Sequence, residues 1–321
     1  MTVTHRHLTI EAQVARYFVR RVLQLIPVFF ITTFLIFLVI RIIPGDPIQA
    51  QFGERTMPAN LREAYIERYH FDEPLWRQYV LYMGDVLTFD LGESVATQRP
   101  INEIFRESVP RTLTLASMSV FFIAIIGIPL GIFSARRKDS AADNGFLFAS
   151  LIMLATPPFV LGLVAQLLLG VRWGIFPVSG VEEGLFSYVM PSLVIATSLL
   201  AVTARLMRTT LIDTFREDYL RTARAKGLTD RRVFTVHALR NALIPVVTVL
   251  AIDLGALLGG TIVTESVFNI PGIGFRITRA IVQRDTTIIT GVSIFLVMAY
   301  LVINLIVDMA YAWLDPRIRY E

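Results

Sequence analysis

The residues best suited to act on a partner lie in one stretch, Glu217-Asp218-Tyr219-Leu220-Arg221-Thr222-Ala223-Arg224-Ala225-Lys226-Gly227. Its chemistry is recognition rather than catalysis. Guanidinium groups such as Arg221 and Arg224 match carboxylates, and small Ala223 and Ala225 let a partner approach closely. Residues up to Lys226 favour helix, with Glu217 and Asp218 at the end where the helix macrodipole favours negative charge. Gly227 suits the position after the helix, where the backbone turns left-handed. Thr229 is then expected to cap a second helix running through Val233 and Phe234 into His237-Ala238-Leu239-Arg240. A short helix with a glycine elbow is a mechanical handle. The plainer alternative is a solvated basic loop that serves only membrane topology.

Other reactive residue types are scarce. The two lysines, Lys138 after Arg137 and Lys226 after Ala225, do not fit the Gly-Lys-Ser/Thr end of a phosphate-binding loop, so no nucleotide site is expected in this chain. There is no cysteine, which removes thiolate metal sites and disulfides from consideration. His5 and His7 near the N-terminus, isolated His70, and His237 beside the elbow form no metal-binding spacing; packing or capping is expected of His237. Asp253 lies in an apolar run among Ala251-Ile252-Asp253-Leu254-Gly255. Ionisable groups in such runs face a bundle interior or a cavity. Asp253 is therefore either a group lining a polar path through the bundle or a carboxylate bonded to a neighbouring helix. Asn304 and Asp308 are expected to bond between helices or to sit at the interface.

These residues must be held by membrane helices. Hydrophobic residues make up 54% of the 321 and charged residues 17%, well under the quarter usual in soluble domains. Six apolar segments are long enough to span: Val22–Ile40, Leu113–Ala135, Gly145–Val171, Tyr188–Ala204, Asn241–Thr264 and Ile288–Tyr311. The first follows Arg20-Arg21 like a signal peptide, but it is too long and no small-residue cleavage site follows, so it reads as a retained helix. Basic residues concentrate at Arg16, Arg20 and Arg21, at Arg136-Arg137-Lys138, and from Arg205 to Arg240. The positive-inside rule then places both termini in the cytoplasm. This gives a cytoplasmic tail at 1–21, a first transmembrane helix at 22–40, an extracytoplasmic cap at 41–112, a five-helix core at 113–311 with a cytoplasmic loop at 205–240, and a C-terminal tail at 312–321. Within the cap, Leu61, Tyr65 and Tyr69 recur at helical spacing. A second cap helix is expected to start at Asp72-Glu73-Pro74, with an acidic cap and proline in its first turn.

Several motifs then carry a family resemblance. The run from Asp218 to Gly227, followed by His237-Ala238-Leu239-Arg240-Asn241-Ala242-Leu243 and Pro245, resembles the cytoplasmic loop of the dipeptide/oligopeptide permeases. Those are the membrane subunits of binding-protein-dependent ABC importers. Arg221-Thr222-Ala223 stand where the wider superfamily has Glu-Ala-Ala, which is the peptide-permease variant. Pro44-Gly45-Asp46-Pro47, Asp90-Leu91-Gly92-Glu93-Ser94, Thr156-Pro157-Pro158-Phe159, Glu265-Ser266-Val267-Phe268 with Pro271-Gly272-Ile273-Gly274, and Asp315-Pro316-Arg317 extend the likeness over nearly the whole chain. The long loop after the first helix is similar to that of the B-type subunit.

The resemblance implies an all-α polytopic protein with the transmembrane-domain fold of type I ABC importers, six transmembrane helices and a small helical cap. It implies a non-enzymatic permease subunit in a bacterial cytoplasmic (inner) membrane, forming half of a translocation pathway. The implied partners are a C-type permease subunit, two ATPase subunits or one fused ATPase holding ATP and magnesium, and an extracytoplasmic binding protein; no nucleic acid is expected. Asp218, Tyr219, Arg221, Thr222, Ala223, Arg224, Ala225, Lys226, Gly227 and His237 become the ATPase-coupling loop, and Asp253 a candidate for the pathway. Nickel-chelate or glutathione import is the alternative within the superfamily. A secondary transporter would need inverted repeats with broken helices and ion-coupling carboxylates, and an intramembrane protease a paired nucleophile and base; neither pattern is present.

Overall fold

The computed structural model describes residues 3–42, 72–88, 90–94 and 96–314, with positions 63, 66, 67 and 70 between them. The Pro44–Pro47 motif, most of the first cap helix and the Asp315–Arg317 motif lie outside the described residues. Helices dominate: α1 (Val3–Ile42), α2 (Leu75–Leu87), α3 (Ile101–Phe122), α4 (Ile128–Arg136), α5 (Ala141–Ala155), α6 (Pro158–Ala165), α7 (Val189–Phe215), α8 (Asp218–Ala225), α9 (Leu239–Val267), α10 (Ile273–Gln283) and α11 (Thr286–Leu314). Among the described residues the sole β-type pairing is an isolated bridge between Glu93 and Pro100. Five helical stretches are long and apolar enough to cross a membrane; α5 with the helix that starts at Pro158 forms a sixth, bent by 98°. The bend falls at Pro157-Pro158, where two consecutive residues lack the N–H that a continuing helix needs. Thr156 turns its hydroxyl back onto the Ile152 carbonyl at 2.8 Å, closing the end of α5.

The chain forms two compact units, one running from Thr112 to Ile270 and the other built from the segments on either side. In the flanking unit, α1 lies along α11, and α10 packs on α11. Ile101, Ile104 and Phe105 of α3 meet Ile273 and Ala280 of α10 and Ile288 and Val292 of α11. A second cluster joins Met83 and Val86 of α2 to Ile294, with Phe29 and Tyr79 beside them. The Tyr79 hydroxyl donates to the Phe30 carbonyl at 2.9 Å and lies 2.8 Å from Thr33 Oγ1, so α2 is pinned to α1. Helix α2 departs from expectation at its start: Pro74 occupies the capping position, not the first turn, and no side chain caps the helix.

In the central unit α7 is the hub. Its span is 56% buried within the chain, against 11% for the first span, so α7 is core while α1 presents most of its surface outward. Small residues set how closely α7 is approached. A Cβ on Gly131 of α4 would lie 2.5 Å from the Ala204 carbonyl oxygen and 2.6 Å from Met207 Cβ, so glycine is required there by backbone proximity. Helix α7 also continues to Phe215, well past the apolar run that ends at Ala204. Hydrogen-bonded turns, not hydropathy, carry it onward.

Candidate functional site

The segment from Asp218 to Gly227 folds as a short exposed helix ended by a left-handed elbow. It leaves α7 through a tight turn in which Arg216 and Glu217 donate backbone hydrogen bonds to the Asp213 and Thr214 carbonyls, at 3.0 and 3.1 Å. Helix α8 starts with Glu217 in extended backbone and Asp218 in the first turn, where acids meet the free N–H groups. Leu220 and Ala223, three residues apart and so on one face, are buried; the remaining side chains are exposed. The helix therefore spends two apolar residues on anchoring and leaves its polar surface free.

Its end is a complete Schellman motif. The Gly227 N–H donates to the Arg224 carbonyl at 2.9 Å and the Leu228 N–H to the Ala223 carbonyl at 3.3 Å, which satisfies carbonyls the helix would leave orphaned. Gly227 has φ +78°, and nothing lies within 4 Å of where its Cβ would be. The requirement for glycine is thus conformational, not steric. Beyond it, Thr229 sits at the capping position in extended backbone, but its side chain makes no cap bond. The helix that follows is not separate. Asp230–Arg232 and a π-helical stretch, Val233–Ala238, run directly into α9. One continuous rod therefore joins the elbow to the fifth apolar span.

Two contacts tie α8 to that rod. The Tyr219 hydroxyl accepts a hydrogen bond from Asn241 Nδ2 at 2.8 Å and reaches the His237 carbonyl at 3.5 Å. His237 thus contributes its backbone; its half-buried ring makes no polar contact among the described residues. Arg224 lies 3.4 Å from Asp230 across the elbow, and Arg221 lies 3.4 Å from Asp218; both pairs are exposed and contribute little stability. Thr222 bonds back to the Asp218 carbonyl at 3.1 Å. Ala225 and Lys226 are exposed. Phe234 stacks under Arg136, whose guanidinium carbon is 3.8 Å from the ring centre, a favourable cation–π distance.

A polar node, not foreseen from sequence, is built on α5 and α7. Asp143 of α5 is buried and accepts from Arg208 of α7 twice, at 2.7 and 2.6 Å. It also accepts from the Ser134 hydroxyl and, at 2.9 Å, from the Asp139 N–H. The ends of α4, α5 and α7 are thereby fastened together. Ser140 accepts from the Asp143 N–H at 3.3 Å, so Ser140-Ala141-Ala142-Asp143 has the spacing of a helix-capping box. That spacing is the signal the sequence offers, while Arg208 stands among many basic residues of the same stretch.

Asp253 lies elsewhere, twelve residues along α9 from Asn241 and so about 18 Å away at 1.5 Å per residue. It is half-buried, and its Oδ2 atom has no hydrogen-bond partner among the described residues. Asp308 pairs with Arg21 at 3.0 Å, joining α11 to α1, in line with a helix–helix role. In the Asp90–Ser94 motif, Ser94 donates to Asp285 at 2.6 Å. Asp285 is buried and caps α11 by accepting from the Ile288 N–H at 3.2 Å.

The fourth and fifth spans are thus joined by an exposed, glycine-ended helix. The family described as the binding-protein-dependent transport system inner membrane component matches residues 127–320, and its N-terminal companion matches residues 14–116. The chain belongs to this family of multi-pass inner-membrane proteins. It is 36% identical to the di/tripeptide transport system permease protein DppB of Pseudomonas aeruginosa, over 94% of this chain and 98% of that one. It is also 36% identical to the oligopeptide transport system permease protein AppB of Bacillus subtilis, over 95% and 100%. The glutathione transport system permease protein GsiC of Pectobacterium atrosepticum is 36% identical over 95% and 99%. Among solved structures, an inward-facing form of the MetNI methionine ABC transporter has the same fold, with a TM-score of 0.55 and 19% identity. That match covers 67% of this chain and 98% of the other.

Proposed function

We propose that this chain is the B-type permease subunit of an ATP-driven importer of di- and oligopeptides, and that α8 with Gly227 is its coupling elbow. The observation that carries the reading is the elbow's construction. A polar helix is exposed on its partner-facing side, fixed to α7 by a tight turn, and clamped to α9 by Tyr219 and Asn241. A push on that helix is delivered to two membrane spans at once. Arg221, Arg224 and Lys226 are exposed and are matched to acids in a cleft of an ATPase subunit. In this reading both termini and the elbow are cytoplasmic, ATP and magnesium belong to two ATPase domains, and a C-type permease supplies the second half of the pathway. ATP on one side and loaded binding protein on the other bias the two states of the bundle, as any coupled transport requires. Asp253, with an unpartnered carboxylate oxygen, is assigned to the pathway as a group that attracts the peptide's amino end.

Peptide relatives span nearly the full chain; the equally similar glutathione permease supports glutathione as the second reading. The test is uptake of labelled di- to pentapeptides, with glutathione and nickel in parallel, in cells lacking this chain alone. Loss of peptide uptake, restored by the wild-type chain, supports the first reading, and a defect confined to glutathione moves the substrate to the second. Gly227→Pro forces φ near −65° where +78° is required and removes the N–H that bonds Arg224. The expected outcome is ATP hydrolysis without uptake in a correctly inserted complex. Coupled uptake at the wild-type rate would refute the elbow assignment.

A further inference from the structure

Arginines gather where the topology above does not call for them. On that topology the segment between the fifth and sixth spans is extracytoplasmic, a side that the positive-inside rule leaves poor in basic residues. It nevertheless carries Arg276 and Arg279 on α10. Arg276 meets a ladder that begins just before α3 and runs over its first three turns. Arg99, Glu103, Glu107 and Arg111 are spaced four apart, so they follow one face.

The pairing within this ladder is one-sided. Glu107 is taken by Arg99, at 2.6 Å, and is 3.7 Å from Arg276. Glu103 is 3.7 Å from Arg99 again. Arg276 also donates to the buried Ser108 hydroxyl at 3.2 Å, which fixes its guanidinium in place. Burial lowers its pKa, and Arg99, Arg111 and Arg279 push in the same direction against Glu107. Arg111 is held by a hydrogen bond to the Pro271 carbonyl at 3.2 Å, and Arg279 lies over the Phe275 ring at 4.9 Å. Neither has a carboxylate partner among the described residues. Among the described residues four guanidinium groups thus stand against two carboxylates: Arg111 feels Glu107 only from beyond ion-pair distance, and Arg279 is held by its ring contact.

We propose that this arginine ladder, with Arg111 and Arg279 as its unpaired members, is the surface on which an acidic face of the extracytoplasmic binding protein docks. The inference rests on the topology and partner set proposed above. The occupant follows from chemistry: the family depends on a binding protein, and prepositioned arginines in excess over the carboxylates among them steer an oppositely charged macromolecule and set its register. The surface therefore acts mainly on the rate of encounter, and salt screens it.

The test uses the assembled transporter in nanodiscs of uncharged lipid and the fluorescently labelled binding protein that restores uptake. Stopped-flow association is followed at low and at high salt. Wild type, Arg111→Glu, Arg279→Glu and the double variant are compared, with Lys138→Glu as a charge reversal far from the ladder in sequence. The double variant is expected to associate about tenfold more slowly at low salt. The gap should close at high salt, and hydrolysis without binding protein should be unchanged. Equal association rates for the double variant and wild type overturn the surface assignment while leaving the importer reading intact. A wild-type complex that binds no such protein overturns both. If the double variant associates normally but loses only its retention of anionic vesicles, the ladder is a lipid-headgroup site and the proposal fails.

Discussion

Replacing Asp143 with alanine removes the acceptor on which the ends of α4, α5 and α7 converge. Its carboxylate is 1% exposed and takes two bonds from Arg208, one from the Ser134 hydroxyl and one from the Asp139 N–H. Breaking a buried pair by removing one partner costs about 3–5 kcal/mol, because the other charge is left uncompensated. Arg208 is 16% exposed, so its long side chain can swing partway to water, which places the cost near the lower limit, about 3 kcal/mol. The stranded hydroxyl and N–H add roughly 1 kcal/mol more. Arg208→Met should cost at least as much as Asp143→Ala, since it leaves a carboxylate that is 1% exposed without its counter-charge. The double variant Asp143→Ala/Arg208→Met should recover about 2 kcal/mol relative to the sum of the single changes. Unfolding of the purified chain by a denaturing detergent, followed by circular dichroism, measures all of these. A loss under about 1 kcal/mol for Asp143→Ala, or strict additivity in the cycle, would show that the node is not the fastening described.

Gly131→Val drives a side chain into the Ala204 carbonyl and Met207, forcing α4 from α7 at about 2 kcal/mol or more. Gly84→Ala, with nothing within 4 Å of the new methyl, should stabilise α2 by about 0.5–1 kcal/mol in the same unfolding assay. Asp285→Ala loses the cap of α11, about 1 kcal/mol, and strands Ser94, whereas Asp285→Asn keeps an acceptor. Trypsin should cut faster after Arg99 in the alanine variant than in the asparagine variant. If Asp253 attracts the peptide amino group, Asp253→Asn should reduce uptake of free-amino peptides more than N-acetylated ones; equal losses would favour a structural role.

Much of the site was legible because its signals are local. Helix propensity, acids at the first turn and a glycine after the last turn act within a few residues, so α8 and its left-handed end follow from Glu217 to Gly227 wherever the segment is placed. Apolar length and basic flanks likewise need no partner, and they yielded the number and type of the spans. What depended on distant residues was not legible. Thr229 occupies a capping position without capping, because the chain enters π-helix and then α9 with no break for a cap to serve. Nothing near Asp143 names Arg208, 65 residues away, and nothing in Asp90–Ser94 names Asp285. His237 lies in the π-helical stretch beyond the elbow, and it is its carbonyl, not its ring, that meets Tyr219. The physical reason is common to all of these. Local conformation is chosen by each residue's own dihedral preferences, whereas a buried charge finds its counterpart only when packing brings remote helices within about 3 Å in a medium too poor in water to satisfy either alone. The sequence by itself determined a helical membrane protein with a glycine-ended helix after its fourth span; the tertiary structure decided which buried charges fasten α4, α5 and α7 to one another and which uncharged contacts hold the short helix to α9.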